Sequence, residues 1–452
     1  MVINNGKFNS GKYSSELVEY LTDVVNYDGS FLLYNDKYGK PSFTIVKPNL
    51  GYKNCDFISG YPHFDIPLEI LLREVNNFIN NKPIYNDDFI IRYGDIHPNK
   101  PYPMLGQTRN IYIGDLLKNM ISSAGNVDSV FTIGDISLKC ISYFLKDLNM
   151  DIDSNQFIKM FLNIDEEKDK LLIDKYNLFC RESLEKTKNL LSRLNLEKDN
   201  YLFESELYKN INLFNFIKEM KYDNGLKDNG MLKYFLQEFM FLLNEKYKDK
   251  CIINVIGSDQ AMHIKKVFKV IDDNNLDLNV NFISYGICKN SGSRELYDWE
   301  VQLKRIIESK KIKFDNEYLE PFDFLKYYYL LVGTDTILDF ANVNNYQKNF
   351  LETILYSIER ASKYNDNKDR IEPNILLCKM ALINQQLDAS ITSGNPSKLV
   401  KYIYDIAVEY LKNEKDYESI SYLYFEFMNT ISKKLTIEDT KPFEKVLKRR
   451  NV

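Results

Sequence analysis

Residues 86–140 read NDDFIIRYGDIHPNKPYPMLGQTRNIYIGDLLKNMISSAGNVDSVFTIGDISLKC, and their pattern decides the fold. Phe89-Ile90-Ile91 is a short apolar run of the kind that forms a buried strand. A loop bearing prolines and Gly106 follows. Ile111, Ile113, Leu116, Leu117, Met120 and Ile121 then recur at helical spacing. Val130-Phe131-Thr132-Ile133 predicts a second strand, ended by Gly134-Asp135. Strand, glycine-bearing loop, helix and strand make a βαβ unit. Its helix begins at the edge of the sheet, where a helix N-terminus suits an anion such as a nucleotide phosphate.

Working outward, 452 residues suffice for roughly two to four domains with ample core. With 44% hydrophobic and 27% charged residues the chain has the composition of a globular protein, not a disordered one. The net charge of −5 means that any contact with nucleic acid needs a local basic patch. Lys445, Lys448, Arg449 and Arg450 are one candidate, and a solvated charged tail is the alternative. The six cysteines (55, 140, 180, 251, 288 and 378) are scattered without ligand-like spacing. That argues against a zinc site or a disulfide framework and fits a reducing compartment. MVINNGKFNS lacks an apolar signal core and no run is long enough to span a bilayer, so the expectation is a cytoplasmic chain with no membrane partner.

Taken in order, residues 1–88 form a small N-terminal module: a helix over 14–25, strand–turn–strand over 30–46, and a helix over 67–79. Residues 89–295 form the core, with a long amphipathic helical insertion over 155–195. Within it Leu178, Leu184, Leu190, Leu191 and Leu194 lie near one predicted face. Ile252 to Ile256 is a further strand, buried and parallel by its apolar run. Gly257-Ser258-Asp259-Gln260 turns it onto a helix carrying His263 and Phe268. Val280 to Ile287 is another strand, leading into the polar loop from Cys288 to Glu295. Residues 296–344 are a helical connection, and 345–452 read as four or five amphipathic helices, with a turn at Ser393-Gly394-Asn395-Pro396 before an N-capped start.

These motifs resemble class I arginyl-tRNA synthetases. Pro98-Asn99-Lys100-Pro101, Met104-Leu105-Gly106-Gln107, Arg109, Ile113-Gly114-Asp115 and Ile133-Gly134-Asp135 follow the order of that family's first signature region. The family has a histidine at two of these places, where this chain has Met104 and Gln107. Glu204-Ser205 is similar to the family's Glu-Ser pair, and Gln237-Glu238 stands where the family has Arg-Asp. Gly257-Ser258-Asp259-Gln260 with His263 resembles its Gly-Ser-Glu/Asp-Gln block. Lys289 and Ser291 fall in the loop of the second class I signature, with Arg294 a nearby cation; read alone, that loop is solvated. Glu352 and Leu355 take the places of a Gln and a His on the first helix of the anticodon-binding bundle.

The resemblance implies an α/β fold: a class I synthetase-type Rossmann-like parallel sheet, a small N-terminal α+β module and a C-terminal helix bundle. It implies an ATP-dependent ligase that activates arginine or a related amino acid as an adenylate. The acceptor would be tRNA or a non-tRNA molecule. Lys289, Gln107 and His263 would assist the phosphates, while Gly106, Gly257, Ser258, Asp259 and Ser291 would bind ATP. Asn99, Asp95, Glu238 and Gln260 would hold the amino acid. Mg2+ enters as the counter-ion of ATP, with no metal site of its own. For Glu238 a solvated helix acid is the bland alternative. His97, before Asn99, is a further phosphate candidate. The other reading of the whole chain is a catalytically inactive pseudo-synthetase that binds tRNA, a nucleotide or a protein.

Overall fold

The computed structural model describes residues 2–4, 13, 15–25, 32–35, 42–45, 52–58, 61–98, 105–136, 138–150, 152, 157, 167–194, 196, 200–220, 231–247, 249–289, 296–314, 317–340, 348–364, 371–437, 440 and 442–443. The first part runs β1 (Val2–Asn4), α1 (Glu16–Val25), β2 (Leu32–Asn35), β3 (Ser42–Ile45), β4 (Asp56–Ile58), β5 (Tyr61–Phe64) and α2 (Leu68–Ile79). The core follows as β6 (Phe89–Ile96), α3 (Leu105–Ser122), β7 (Val127–Ile133), α4 (Leu138–Asp147), α5 (Glu167–Arg193) and β8 (Tyr201–Phe203). Then come α6 (Glu204–Leu207), α7 (Ile211–Glu219), α8 (Met231–Leu242), β9 (Cys251–Gly257), α9 (Ala261–Asp273), β10 (Val280–Tyr285) and β11 (Cys288–Lys289). The remainder is α10 (Leu296–Ser309), β12 (Lys313–Phe314), β13 (Glu317–Tyr318), α11 (Pro321–Leu331), β14 (Leu338–Asp339), α12 (Lys348–Ala361), α13 (Ile375–Ala381), α14 (Ile383–Thr392), α15 (Ser397–Lys412) and α16 (Ser421–Lys434).

The central sheet has the order β1-β10-β9-β6-β7-β8. Its last five strands are parallel, and Val2–Asn4, from the head of the chain, adds an antiparallel edge against β10. Parallel strands covered on both faces need apolar residues on both, which is why Phe89-Ile90-Ile91 and Cys251-Ile252-Ile253 are continuous apolar runs. Phe89, Ile91 and Tyr93 face the cluster that holds α3, whereas Ile90, Ile252 and Val130 face the cluster built by α8 and α9. Gly114 lets α3 approach: a Cβ there would lie 2.3 Å from Cγ of Tyr93. Along α5 the buried face carries Leu184, Leu190, Leu191 and Leu194, but Leu178 is 57% exposed and corrects the sequence reading. At about 100° per residue Leu178 stands roughly 120° or more round the helix from each of the other four, on the far side from their mean direction.

The N-terminal strands form a four-stranded antiparallel sheet of order β2-β3-β5-β4. This layer docks on the helical region by polar contacts of long sequence separation. The Leu32 N–H donates to Gln385 Oε1 at 2.8 Å, and Gln385 Nε2 returns a bond to the Leu32 carbonyl at 3.0 Å. Buried Glu74 on α2 accepts from the Leu17 N–H at 3.1 Å and from Asn384 Nδ2 at 2.7 Å. Burial pushes its carboxyl up to about 7. In the bundle, Tyr410 and Tyr424 stack at 4.2 Å. Leu355 is fully buried in α12. The tail cations from Lys445 to Arg450 lie outside the described residues.

Candidate functional site

The chain reverses direction across the sheet at β6. From β6 it crosses by α3 to β7 on one side, and later returns to β9 on the other. Such a reversal leaves a crevice at the carboxyl ends of the two central strands. The ladder between β6 and β9 runs from Phe89↔Cys251 to Arg92↔Asn254 and stops there. Beyond it Gly94, at φ +104°, sits in an irregularity between Tyr93 and Ile96 that redirects the strand end. Asn110 of α3 fills the split. Its Oδ1 accepts from the Gly94 N–H at 2.7 Å and its Nδ2 donates to the Val255 carbonyl at 2.8 Å. The first turn of α3 carries half-buried Gly106 and Gln107, and a Cβ at Gly106 would meet nothing within 4 Å among the described residues. That turn lies at the same edge where α9 begins.

Below the split, Arg92 and Asn254 are the last residues in register, and both are buried. A charged side chain in a buried strand needs a partner. Arg92 Nη1 lies 3.0 Å from Glu238 Oε2, and its guanidinium stands 4.8 Å over the Phe241 ring. Asn254 Nδ2 donates to the other oxygen, Glu238 Oε1, at 2.8 Å. Glu238 is therefore not the solvated acid of the bland sequence reading. His263, half-buried on α9, is held below the usual histidine range chiefly by burial, against the attraction of Glu238.

A second polar cluster closes the end of β7. Asp135 accepts from the Ser205 N–H at 3.0 Å and from the Ser205 hydroxyl at 2.5 Å, and burial raises its carboxyl to about 6. Gln237 Nε2 donates to Glu204 Oε2 at 2.7 Å. The adjacent Gln237 and Glu238 thus serve different clusters. His97 rests over Gly134, where a Cβ would come within 2.5 Å of its Nδ1.

The Gly257–Gln260 turn sits at the end of β9. A Cβ at Gly257 would lie 2.4 Å from Asp259 Oδ1, so glycine lets the exposed Asp259 fold back over the strand end. Gln260 donates to Asp259 Oδ2 at 3.3 Å, and Ser258 is half-buried. Lys289 is exposed on β11, which pairs parallel with β14 through Cys288↔Leu338 and Lys289↔Asp339. Arg109 fixes this outlying pair to the core. Its buried guanidinium donates to the carbonyls of Gly286 (2.5 Å), Thr336 (2.7 Å), Thr334 (3.0 Å) and Gly333 (3.1 Å).

The structure thus brings Gly106, Gln107, Gly257, Ser258, Asp259, Gln260 and His263 to one edge of the sheet, with Glu238 beside His263 and Lys289 just past the end of β10. Asn99, Met104, Ser291 and Arg294 lie outside the described residues, as does the side chain of Asp95. Sequence reasoning missed Asn110, Arg92 and Asn254. The signal for the last two was present: each is a polar residue inside an otherwise apolar strand. Among the described residues no helix is long and apolar enough to cross a membrane.

No family model matches the chain. Two curated relatives are arginine–tRNA ligases. That of Archaeoglobus fulgidus is 22% identical over 274 residues, 48% of this chain and 49% of the relative. That of Encephalitozoon cuniculi is 27% identical over 166 residues, 32% of this chain and 29% of the relative. The chain therefore spans half or less of the curated relatives it matches. In fold it is similar to the arginyl-tRNA synthetase of Plasmodium falciparum, with a TM-score of 0.63, 14% identity, and coverage of 95% of this chain and 97% of that one. It is also similar to that of Thermus thermophilus, with a TM-score of 0.56, 13% identity, and coverage of 87% of each. The chain thus has the class I synthetase fold, and its similarity in sequence, partial and distant, is to arginine–tRNA ligases.

Proposed function

We propose that the chain is an ATP-dependent ligase of the class I type, which joins an amino acid to AMP and passes it to tRNA or to a non-tRNA acceptor. The observation that carries this reading is the crevice between β6 and β9, where the start of α3 and the Gly257–Gln260 turn open at one edge of the sheet. The relatives' names make arginine, or an amino acid related to it, the first substrate to try. The residues present suit ATP: Gly106 puts no side chain on the first turn of α3, and the backbone N–H groups of that turn favour phosphate oxygens.

In adenylate formation the amino-acid carboxylate attacks the α-phosphorus, and the bond to the pyrophosphate oxygen breaks. The protein's task is to position the reactants and stabilise the charge that builds on phosphate oxygens. Gln107 supplies a neutral amide donor in the first turn of α3. Lys289 supplies the exposed cation, and Arg109 sets its position through Gly286 and the 333–336 turn. His263, neutral at pH 7 because burial disfavours its charge, acts as a hydrogen-bonding group rather than a cation. Mg2+ would travel with the ATP phosphates.

The test is amino-acid-dependent exchange of pyrophosphate into ATP across all amino acids, with and without tRNA. Exchange is expected with at least one amino acid and is expected to be lost in Lys289→Ala. No exchange with any of them, in folded protein, would remove the ligase reading. A second reading, binding of a nucleotide, tRNA or protein without catalysis, is favoured by the uncharged first turn of α3, and it would then stand.

A further inference from the structure

Beneath the crevice, at the last rung of the β6–β9 ladder, lies a charge arrangement that bears on which amino acid the crevice accepts. Arg92 and Asn254 end the β6–β9 ladder directly beneath the split, and in parallel register they point to the same face. That face is covered by α8 and α9, which bring Glu238, Phe241 and His263 over them. Both oxygens of Glu238 are engaged from within the chain, one by Arg92 Nη1 at 3.0 Å and one by Asn254 Nδ2 at 2.8 Å. Arg92 is further held by the Phe241 ring. Only about a tenth of either charged side chain remains exposed, 10% for Arg92 and 11% for Glu238.

This pair has an electrostatic consequence. A cationic side chain entering from the split would find the acid already neutralised by a guanidinium of the same shape. To bind, it would have to displace Arg92 and leave a desolvated cation without its counter-ion. An anionic side chain would gain Arg92 only by approaching Glu238. An uncharged polar side chain disturbs neither, and it can hydrogen-bond to the exposed edge of the pair without breaking it.

From this we infer that the side-chain subsite takes an uncharged polar amino acid and rejects arginine, with Arg92 occupying the place a substrate guanidinium would need. The inference rests on the adenylation reading for the site's role, but the occupancy of Glu238 is read independently of it. Arg92 acts here as a specificity residue, not a catalytic one.

The test compares arginine with citrulline, its uncharged isostere, by calorimetric titration in the presence of ATP. Wild-type protein is expected to bind citrulline at least ~10-fold more tightly than arginine. Arg92→Met frees Glu238 and is expected to reverse the preference, improving arginine binding by roughly 100-fold, as for a charge pair that must otherwise be broken. Arg92→Met/Glu238→Gln should lose that gain. Arg92→Gln, which keeps a donor to Glu238 without the charge, replaces Arg92→Met if the latter does not fold. Wild-type protein that binds arginine as well as citrulline overturns the inference. So does a folded Arg92 variant whose preference does not move towards arginine. Wild type that binds neither ligand overturns it as well, without deciding adenylation, which pyrophosphate exchange reads with every amino acid.

Discussion

Replacing Arg109 by methionine is expected to loosen the segment that presents Lys289 while leaving the central sheet intact. The guanidinium donates to four carbonyls, of Gly286, Gly333, Thr334 and Thr336, and is almost fully buried. Hydrogen bonds from a charged donor contribute about 1.5–3 kcal/mol each, so four bonds sum to about 6–12 kcal/mol. Against this stands the desolvation of a guanidinium whose pKa burial pulls down, a cost of several kcal/mol that methionine avoids. The net loss is about 3–5 kcal/mol, concentrated where the carbonyls lie. Local opening is read by hydrogen exchange. The Gly286 N–H, bonded to the Thr334 carbonyl at 2.9 Å, and the Leu338 N–H, bonded to the Ile287 carbonyl at 3.0 Å, report on the two strands Arg109 joins. Both amides should exchange at least ~100-fold faster in Arg109→Met, the equivalent of about 2.7 kcal/mol, while amides of Ile252 and Ile253 keep their protection. Unchanged exchange at Gly286 and Leu338 would refute the argument that Arg109 anchors this segment.

Asn110→Leu removes the donor and the acceptor that bridge Gly94 and Val255, so the Gly94 amide should lose protection and ATP affinity should fall, readable by exchange and by calorimetry. Gly114→Ala drives a methyl to within 2.3 Å of Tyr93 and should lower the melting temperature by many degrees, whereas Gly106→Ala, whose methyl meets no described residue within 4 Å, should not lower it. Glu74 has a pKa near 7 in the folded chain, above its unfolded value near 4.5. Its favourable contribution is therefore full below pH 4.5 and is lost as pH rises through 7. Glu74→Gln, which keeps an acceptor for Asn384 or Leu17, should gain on wild type in thermal melting between pH 5 and 8; parallel pH profiles would contradict this.

The parts of the fold that were legible in the sequence are those where burial on both faces forces a local pattern. Phe89–Ile91, Val130–Ile133 and Ile252–Ile256 are apolar runs because parallel strands lie between helices, and α3 is rich in apolar residues because its middle is buried all round, with Gly114 against Tyr93 and Tyr112 against Tyr329. The apolar run understates β6, which continues through Arg92 to Ile96. A charged residue ends an apolar pattern in sequence but not a ladder in space, once α8 supplies Glu238. The pairing of Val2–Asn4 with β10 had no local signal, since partner choice across some 280 positions is a tertiary event.

The site was legible only where motif and strand end coincide. The Gly257–Gln260 turn declares itself by following an apolar strand. Asn110 does not, because on α3 it is one polar residue among several, and only the splay of β6 from β9 gives it a task. Arg109 belonged to a signature block in the sequence, yet its side chain is committed to four backbone carbonyls. Gln237 and Glu238 are neighbours in sequence but hold separate clusters, which no spacing rule distinguishes.

The most direct measurement is capture of the adenylate itself. Wild-type protein and Lys289→Ala would be incubated with ATP labelled at the α-phosphate, Mg2+, a pool of all amino acids and pyrophosphatase, and the protein-bound fraction resolved for aminoacyl-AMP. The expected result is a labelled aminoacyl-AMP on the wild type, in an amount approaching one per chain, and its loss in Lys289→Ala. Folded wild-type protein that binds ATP but yields no aminoacyl-AMP from the pool would contradict it.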